Sequence, residues 1–522
     1  MIPTDWFIMT ELSWLTIAAG LAGVAMTSSV VRIIYRLFFH PLASYPGPFL
    51  ARCTSWYAAY QSYTGNIHLD IEWCHEKYGD VVRYRPNGLL VNTIEGLQDA
   101  YINPTKTQKS EGYFSFRGDG AISILNAITK EEHAPRRRIL SRAFSVAALQ
   151  KYEPMVIKTA KAFCDSLLEP TTDSVKDTQG KPVHNIGQLS SYFTYDVMSN
   201  VAFHSPQDLI KQTHGRSIVK GIDSAMFICG MSLEQPLLVR FPLLNLLLNK
   251  RHIKESRLFF DKAKGFAAQR IALEQETHID DIFGTLLTDE KAIKGLSPED
   301  LASDALVMMI AGTDTSSVAL SGFFFYLTRH SKAYKQLAAE IRNTFQDADE
   351  IRPGPKLNSC TYLRACIDES MRLAPPVAAP LWREMRQKDQ IASMVLPKGT
   401  NIATCIYSIH RNPAYFANPK EFRPERWLEN LGSDPQADLA RRAFSPFSVG
   451  SRGCIGKNLA YMEMTILLAL LMYKADWEIP EGLLGKVGES DPEKGLLDFK
   501  LKGHFTSEKD GPYVKFVPRL LQ

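Results

Sequence analysis

Phe447-Ser448-Val449-Gly450-Ser451-Arg452-Gly453-Cys454-Ile455-Gly456 places one cysteine in a glycine-rich loop. An arginine stands two residues before the cysteine, and a mostly apolar run, Leu459 to Leu471, follows it. Glycines at 450, 453 and 456 let the backbone take positive φ and approach a flat ligand closely. Amides of such a loop can point at the Cys454 sulfur and tune its electron density. The plain alternative is a buried cysteine in a turn, since a free cysteine is usually a small hydrophobe.

Outward from this loop, the chain has 522 residues, 45% hydrophobic and 22% charged, which is ample for a large core. Length alone suggests about two to four domains. Yet no long Gly/Ser linker or low-complexity tract divides the chain after residue 50, and no internal repeat is evident. The eight cysteines (53, 74, 164, 229, 360, 366, 405 and 454) have no paired spacing, and no CxxC occurs. That argues against a disulfide framework or a zinc site, and for a reducing compartment. A net charge of +4 implies no nucleic-acid surface.

Leu12 to Val31 is a stretch of twenty residues without charge. At ~1.5 Å per residue it reaches ~30 Å, the thickness of a bilayer core. Asp5 and Glu11 precede it, and Arg32 and Arg36 follow it, so the positive-inside bias puts the rest of the chain in the cytosol. An acidic flank and a long apolar stretch speak against a cleavable signal peptide. His40-Pro41-Leu42-Ala43-Ser44-Tyr45-Pro46-Gly47-Pro48 then reads as a stiff, non-helical connector.

Further along, Asp80 to Asn92 alternates around Pro86-Asn87-Gly88 and predicts a β-hairpin. Glu131 to Lys161 is helical in pattern, and Val201 to Leu248 mixes apolar runs with prolines and yields no assignment. Ser297-Pro298-Glu299-Asp300 is a helix start, with a capping serine, proline at the first position and acids at the positive end. The helix is expected to run to about Arg329 and to be buried, because Leu306 to Ala311 is apolar all round. Within it lies Ala311-Gly312-Thr313-Asp314-Thr315-Ser316, where Thr315 can back-bond to the Ala311 carbonyl and bend the helix. An acid beside a hydroxyl can relay protons into a dry cavity. A further helix is expected near Ser359 to Leu373, with Glu369 and Arg372 on one face, and Leu396-Pro397-Lys398-Gly399-Thr400 is a turn between short strands.

The cysteine run resembles the signature of the cytochrome P450 family, in which a phenylalanine, two glycines, a basic residue and the cysteine stand at these spacings. The His40–Pro48 segment resembles the proline-rich hinge of microsomal members, most like those of filamentous fungi. The resemblance covers nearly the whole chain. It implies a mainly α fold with small β-sheets, the haem-thiolate fold, carrying an N-terminal transmembrane helix. Residues 1–11 become a short lumenal segment, 12–31 the transmembrane helix, 32–48 a basic and proline-rich hinge, and 49–522 the catalytic domain. The cofactor implied is haem b (iron protoporphyrin IX), with Cys454 as the metal ligand; a thiolate pushes electron density to the iron and favours O–O cleavage. Phe447, Arg452, Arg383, Arg137 and His133 are the implied cofactor-binding residues. Pro135 departs from the family pattern, and a helix starting there would put His133 in its cap. Thr315 and Asp314 take the implied catalytic role in proton delivery, and Glu369, Arg372 and Arg426 form a buried ionic triad near the haem.

The implied activity is insertion of one oxygen atom from O2 into a small apolar molecule, by hydroxylation or epoxidation, on the endoplasmic reticulum membrane. Fungal secondary metabolism, with terpenoid or polyketide scaffolds, is the most similar setting. No flavin or nicotinamide fingerprint follows the cysteine region, so NADPH is expected to act indirectly, through NADPH–cytochrome P450 reductase, with cytochrome b5 as a second donor. Arg441, Arg442, Arg452 and Lys457, with no acid between 441 and 460, would steer an acidic redox partner. Phe114, Phe116, Ile122, Met308, Met309 and Val377 to Ala379 are the candidates to face the substrate. The alternatives are a reductase-independent isomerase or dehydratase of the same fold, and a haem-binding membrane protein without turnover.

Overall fold

The computed structural model describes residues 5–117, 120–169, 174–274, 279, 281–287, 297–429, 434–490 and 497–519. Its axis is the helix Pro298–Arg329. Ser297 starts it as expected: its Oγ accepts the Asp300 N–H at 3.1 Å. Val318, Leu320, Phe324, Phe325, Tyr326 and Leu327 are wholly buried. Burial on all sides explains how so long a helix persists, since packing supplies most helix stability. Helix Ile186–Phe203 lies along it, and Thr361–Leu373 and Lys457–Lys474 pack on other faces. Gly312 is required here: a Cβ at that position would stand 2.3 Å from Met198 Sδ on the neighbouring helix.

The Val201 to Leu248 region, unassigned from sequence, is helical. Ile186–Phe203 ends in it, a roof helix Ser217–Glu234 follows, and a short turn of helix leads into Pro242–Glu274. Glu131 to Lys161 is two helices, Lys130–Ala143 and Val146–Leu168. Phe144 breaks them, and Ser145 Oγ caps the second by accepting from Ala148 N at 3.3 Å. Pro135 does not start the first helix. Thr129 and Glu132 form a capping box that starts it at Lys130, so His133 lies inside the helix, buried.

A five-stranded sheet runs in the order Val81–Arg85, Gly88–Val91, Asn401–Ala403, Arg383–Met385, Thr107–Lys109. Its first two strands are the expected hairpin. The last pair sets Lys109 directly opposite Arg383. A second hairpin, Leu501–Gly503 with Ser507–Lys509, carries its tip, His504 to Thr506, over the long helix. The roof helix is bolted at its C-terminal end: Glu234 is 2.8 Å from Arg85 Nη2 and accepts Trp382 Nε1–H at 2.9 Å, and the Arg85 guanidinium lies 3.8 Å over the Trp382 ring.

The N-terminal helix spans Asp5–Ile34 and continues as a π-helical turn through Phe39. Thr16–Phe39 is long and apolar enough to cross a membrane and overlaps the expected 12–31, and Leu21, Val24, Met26 and Phe38 stand exposed along it. The expected hinge at 32–48 therefore begins as helix, and the chain leaves helical geometry only at His40. Arg36 at the foot of this helix donates to Cys53 O at 2.6 Å and its own carbonyl accepts Arg83 Nη1 at 2.8 Å, which fixes the helix to the catalytic part. Residues 1–4 of the expected lumenal segment lie outside the described residues.

Glu369, Arg372 and Arg426 meet as a buried cluster. Arg372 grips Glu369 with Nε and Nη2 at 3.0 and 2.9 Å, and Arg426 Nε reaches Oε1 at 3.0 Å. Trp427 Nε1–H and the Arg423 amide complete the carboxylate's bonds, holding it below the ordinary range despite burial. Removing the carboxylate would strand two buried cations. Glu369→Ala should cost about 3–5 kcal/mol of stability, measured by denaturant unfolding; a loss under about 1 kcal/mol, the value of a surface pair, would contradict it.

Candidate active site

One large cavity of about 1040 Å³ lies between the long helix, the roof helix and the cysteine loop. Its walls are mostly apolar: Phe116, Ile124, Met198, Leu306, Met308, Ala311, Val377 and Phe505 among them. Cys454 is at its floor. The side chain has an exposed face although protein surrounds it, because that face opens into the cavity. The loop is held by Cys454 N–H to Phe447 O at 2.8 Å and Gly453 N–H to Gly450 O at 3.0 Å. Burial pushes the Cys454 thiol up, while the Gly456 and Lys457 amides and the Arg137 guanidinium act against that rise by favouring the thiolate.

One of the three loop glycines uses the freedom that glycine gives. Only Gly450 has positive φ, at 76°, and a Cβ there would meet Tyr101 O at 2.3 Å. Gly453 and Gly456 have φ of −62° and −82°, and the second left-handed residue is Ser448. The turn needs two left-handed residues for its chain reversal. A Cβ on Gly453 would press on Gly450 O at 3.2 Å, whereas one on Gly456 would make only ordinary contact with Cys454 Sγ at 3.9 Å.

Cations converge beside the thiol. Lys109, Arg383 and Arg452 line the cavity. None of these, nor Arg137, forms a salt bridge with a carboxylate among the described residues, and Arg383 Nη1 is buried without a hydrogen-bond partner. Lys109 donates to Leu125 O, and burial with Arg383 and Arg452 nearby drives its ammonium well down. His133 is held neutral: burial, then Arg452, Lys109, Arg137 and Arg383, lower its pKa to about 3. His133 and Arg137 stand behind the cavity wall instead of on it, with Arg137 Nη1 donating to Gly453 O at 2.6 Å. Arg452 turns toward the segment before the Lys130–Ala143 helix and donates to the carbonyls of Ala127, Ile128 and Thr129, the last two at 2.7 and 2.9 Å. Phe447 lines the cavity and leans on Tyr461, ring centroids 5.1 Å apart. An apolar space with a thiol at its floor and cations at its edge that lack carboxylate partners fits haem, whose iron takes a thiolate ligand and whose two propionates are anionic.

Thr315 faces the cavity, and its Oγ1 donates to Ala311 O at 2.6 Å. Asp314 does not face it. Consecutive helical residues point about 100° apart, and Asp314 is buried on the other side, accepting from Thr506 Oγ1 with Lys509 Nζ at 3.9 Å. The expected acid–hydroxyl neighbours in one cavity are therefore separated, and Thr506, which does line the cavity, is the hydroxyl that touches Asp314. No sequence pattern links 314 with 506. Of the substrate-facing candidates, Phe116, Met308 and Val377 line the cavity. Phe114 points outward, exposed; Met309, Ala378 and Ala379 are packed into the core; Ile122 is tied by its N–H to Asp300 at 2.8 Å. Of the basic loop residues, Arg442 and Lys457 are exposed, while Arg441 and Arg452 spend their guanidinium groups on backbone carbonyls.

Glu463 is a further lining group that sequence patterns gave no reason to select. It is buried, accepts from Ser316 Oγ, and leaves Oε2 without a partner. Burial pushes its carboxyl up to about 8.

A cytochrome P450 family model matches residues 46–495. The chain is 35% identical over 508 residues to the cytochrome P450 monooxygenase AKT7 of Alternaria alternata, covering 95% of this chain and 96% of that protein. It is 35% identical over 539 residues to the cytochrome P450 monooxygenase atnE of Emericella nidulans, covering 99% of each. Against the cytochrome P450 monooxygenase apf7 of Gibberella fujikuroi it is 36% identical over 511 residues, with 94% and 96% covered.

The raised Glu463 carboxyl makes a pH prediction. Between the ordinary value of 4.5 and about 8, the folded protein keeps a proton that the unfolded chain has released. Its contribution to stability must then fall as pH rises through that window. Glu463→Gln cannot titrate and should flatten this part of the profile. Urea midpoints measured across the window decide it: parallel profiles for the two proteins would show that Glu463 ionises normally.

Proposed function

Because this chain belongs to the cytochrome P450 family, we propose that it oxidises a small apolar molecule of secondary metabolism, by hydroxylation or epoxidation, at the surface of the endoplasmic reticulum. It is a haem-thiolate monooxygenase, an oxidoreductase. The relatives' names support turnover and give no support to a reductase-independent isomerase or dehydratase, or to a haem-binding protein without activity. The observation that carries the reading is Cys454 at the floor of an apolar cavity, with amides on its sulfur and unneutralised cations at one edge.

Cys454 Sγ would ligate the iron, with Phe447 beside it. Arg383 and Lys109, opposed across two strands, and Arg452 would meet the propionates, and Arg137 would hold the loop from behind. When bound, the haem supplies the iron at which O2 is reduced and cleaved. Each turnover takes two electrons and two protons; one oxygen atom enters the substrate and the other leaves as water. The chain's own part is to keep bulk water out and to meter those protons. The apolar wall does the first. For the second, Thr315 Oγ1 stands on the cavity face, and Asp314 holds a carboxyl behind it, raised by burial.

Met308, Leu306, Ala311, Val377, Phe116 and Phe505 make an apolar surround that suits a terpenoid or polyketide scaffold. NADPH–cytochrome P450 reductase, with cytochrome b5 as a second donor, would supply electrons, and exposed Arg442 and Lys457 beside the cysteine loop suit an acidic partner. The helix through Phe39 would act as a single-pass anchor with the catalytic domain, from about residue 49 onward, in the cytosol.

Cys454→Ser should abolish the thiolate-type absorption shift of the reduced carbonyl complex; a variant that keeps the shift removes Cys454 as ligand. Thr315→Ala should leave that spectrum intact but lower product per NADPH by ~10²-fold while peroxide rises, if its hydroxyl acts as a positioned proton-transfer group. Unchanged coupling would reduce Thr315 to a helix-bending residue. Deleting residues 1–39 should release haem-containing protein from membranes, and loss of haem on truncation would instead make the helix part of the core.

A further inference from the structure

We infer that protons reach the main cavity from the roof side, along Asp223, Asp314 and Thr506. This rests on the monooxygenase reading, which requires two protons per turnover. Thr315 lines the main cavity, whereas Asp314, about 100° round the helix, does not. There it borders a second, small cavity of about 10 Å³, shared by Asp223, His504, Thr506 and Glu508. That is room on the order of one water, with several polar groups to bind it. Thr506 borders both cavities, so its hydroxyl is the polar link between them.

The charges around this link come from three elements. Asp223 stands on the roof helix, half-buried, where it keeps contact with solvent although protein crowds it. Asp314 is on the long helix. The hairpin brings Lys502, His504, Glu508 and Lys509. Glu508 is committed to Lys502 at 2.6 Å and to His504 at 3.5 Å. Lys509 donates to Ser191 and Ser317 at 2.9 and 2.5 Å and sits 3.9 Å from Asp314. One lysine thus serves two aspartates. Burial first, and then Asp314 next to it, raise the Asp223 carboxyl; burial raises that of Asp314 against the pull of Lys509. Both shifts favour the protonated form, and the two carboxyls border the same small cavity.

Transfer needs no net change in the relay. Thr506 Oγ1–H points at Asp314 Oδ2 at rest. With Asp314 protonated, the hydroxyl rotates, gives its proton into the main cavity and takes the one from Asp314. Asp314 is then reprotonated from Asp223 across the small cavity, and Asp223 from solvent. Thr506 is a catalytic residue in this scheme, and Asp223 is the outer donor.

The test compares Thr506→Val, Thr506→Ser and Asp223→Asn with the parent, as full-length haem protein. The reduced carbonyl spectrum establishes that each variant keeps the thiolate ligand. Thr506→Val should lower product per NADPH by ~10²-fold with peroxide rising, as for a group that passes the proton directly. Thr506→Ser should restore it. Asp223→Asn should act in the same direction by roughly tenfold, since water can partly replace an outer donor. A second readout does not depend on turnover: the infrared carboxylic-acid band of the substrate-free protein, followed with pH. Asp223→Asn should shift the titration of the remaining carboxyl to lower pH. Normal coupling in both Thr506→Val and Asp223→Asn overturns the path, as does a band whose titration Asp223→Asn leaves unmoved. Failure of the monooxygenase reading registers separately, as a parent without thiolate spectrum or product, and the infrared arm then decides alone.

Discussion

The hold of Arg452 and Arg137 on the cysteine loop is the constraint from which the rest of the site follows. A thiol must sit below an apolar cavity, on a loop that has no regular structure of its own. Arg452 reaches out of that loop to three carbonyls ahead of the Lys130–Ala143 helix, and Arg137 reaches back from the helix to Gly453 O. The two guanidinium groups thus knit loop and helix in both directions. Both ends are otherwise anchored: the helix by its Thr129–Glu132 capping box, the loop by the left-handed Gly450 pressed against Tyr101. Losing either guanidinium would free the sulfur to wander and uncap buried carbonyls at once.

The interior is unusually rich in charge for a catalyst of apolar chemistry, and the charges divide into two kinds. The Glu369 cluster is closed: its carboxylate oxygens are taken by two arginines, an indole and an amide. The Lys109–Arg383–Arg452 cluster is open and has no carboxylate among the described residues: Lys109 and Arg452 rest on backbone carbonyls, and Arg383 keeps one nitrogen orphaned. The closed set fixes the fold, and the open set awaits an anion. A buried group without its partner is costly unless a ligand completes it, so an open cluster of this kind couples cofactor retention to stability.

Short-range chemistry made much of this legible in sequence. The Ser297 cap, the hairpin around Pro86-Asn87 and the glutamate–arginine spacing at 369 and 372 are local rules, and they hold. Errors arose where two neighbours in sequence point apart or where a partner is far along the chain. Pro135 looked like a start because the capping box six residues earlier was passed over. Asp314 and Thr315 are adjacent in sequence, yet a turn of about 100° leaves only Thr315 on the cavity wall. Lys109 and Thr506 carried no signal of their own; a strand pairing across 274 residues of chain (109 to 383) and a hairpin tip bring them to the cavity.

The bolt at Glu234 has a mechanical meaning. It ties the C-terminal end of the roof helix to Arg85 and to Trp382, the residue just before Arg383. The opposite end is held by Arg216, whose Nε and Nη2 donate to Leu209 O and Ile210 O at 2.8 and 3.0 Å. The helix is also packed along its length on Pro242–Glu274, where Ser224 Oγ donates to Glu255 Oε2 at 2.6 Å. The roof of the cavity and the strand that carries Arg383 therefore share one fixed frame, so a substitution at Glu234 would be felt on both sides of the cavity at once.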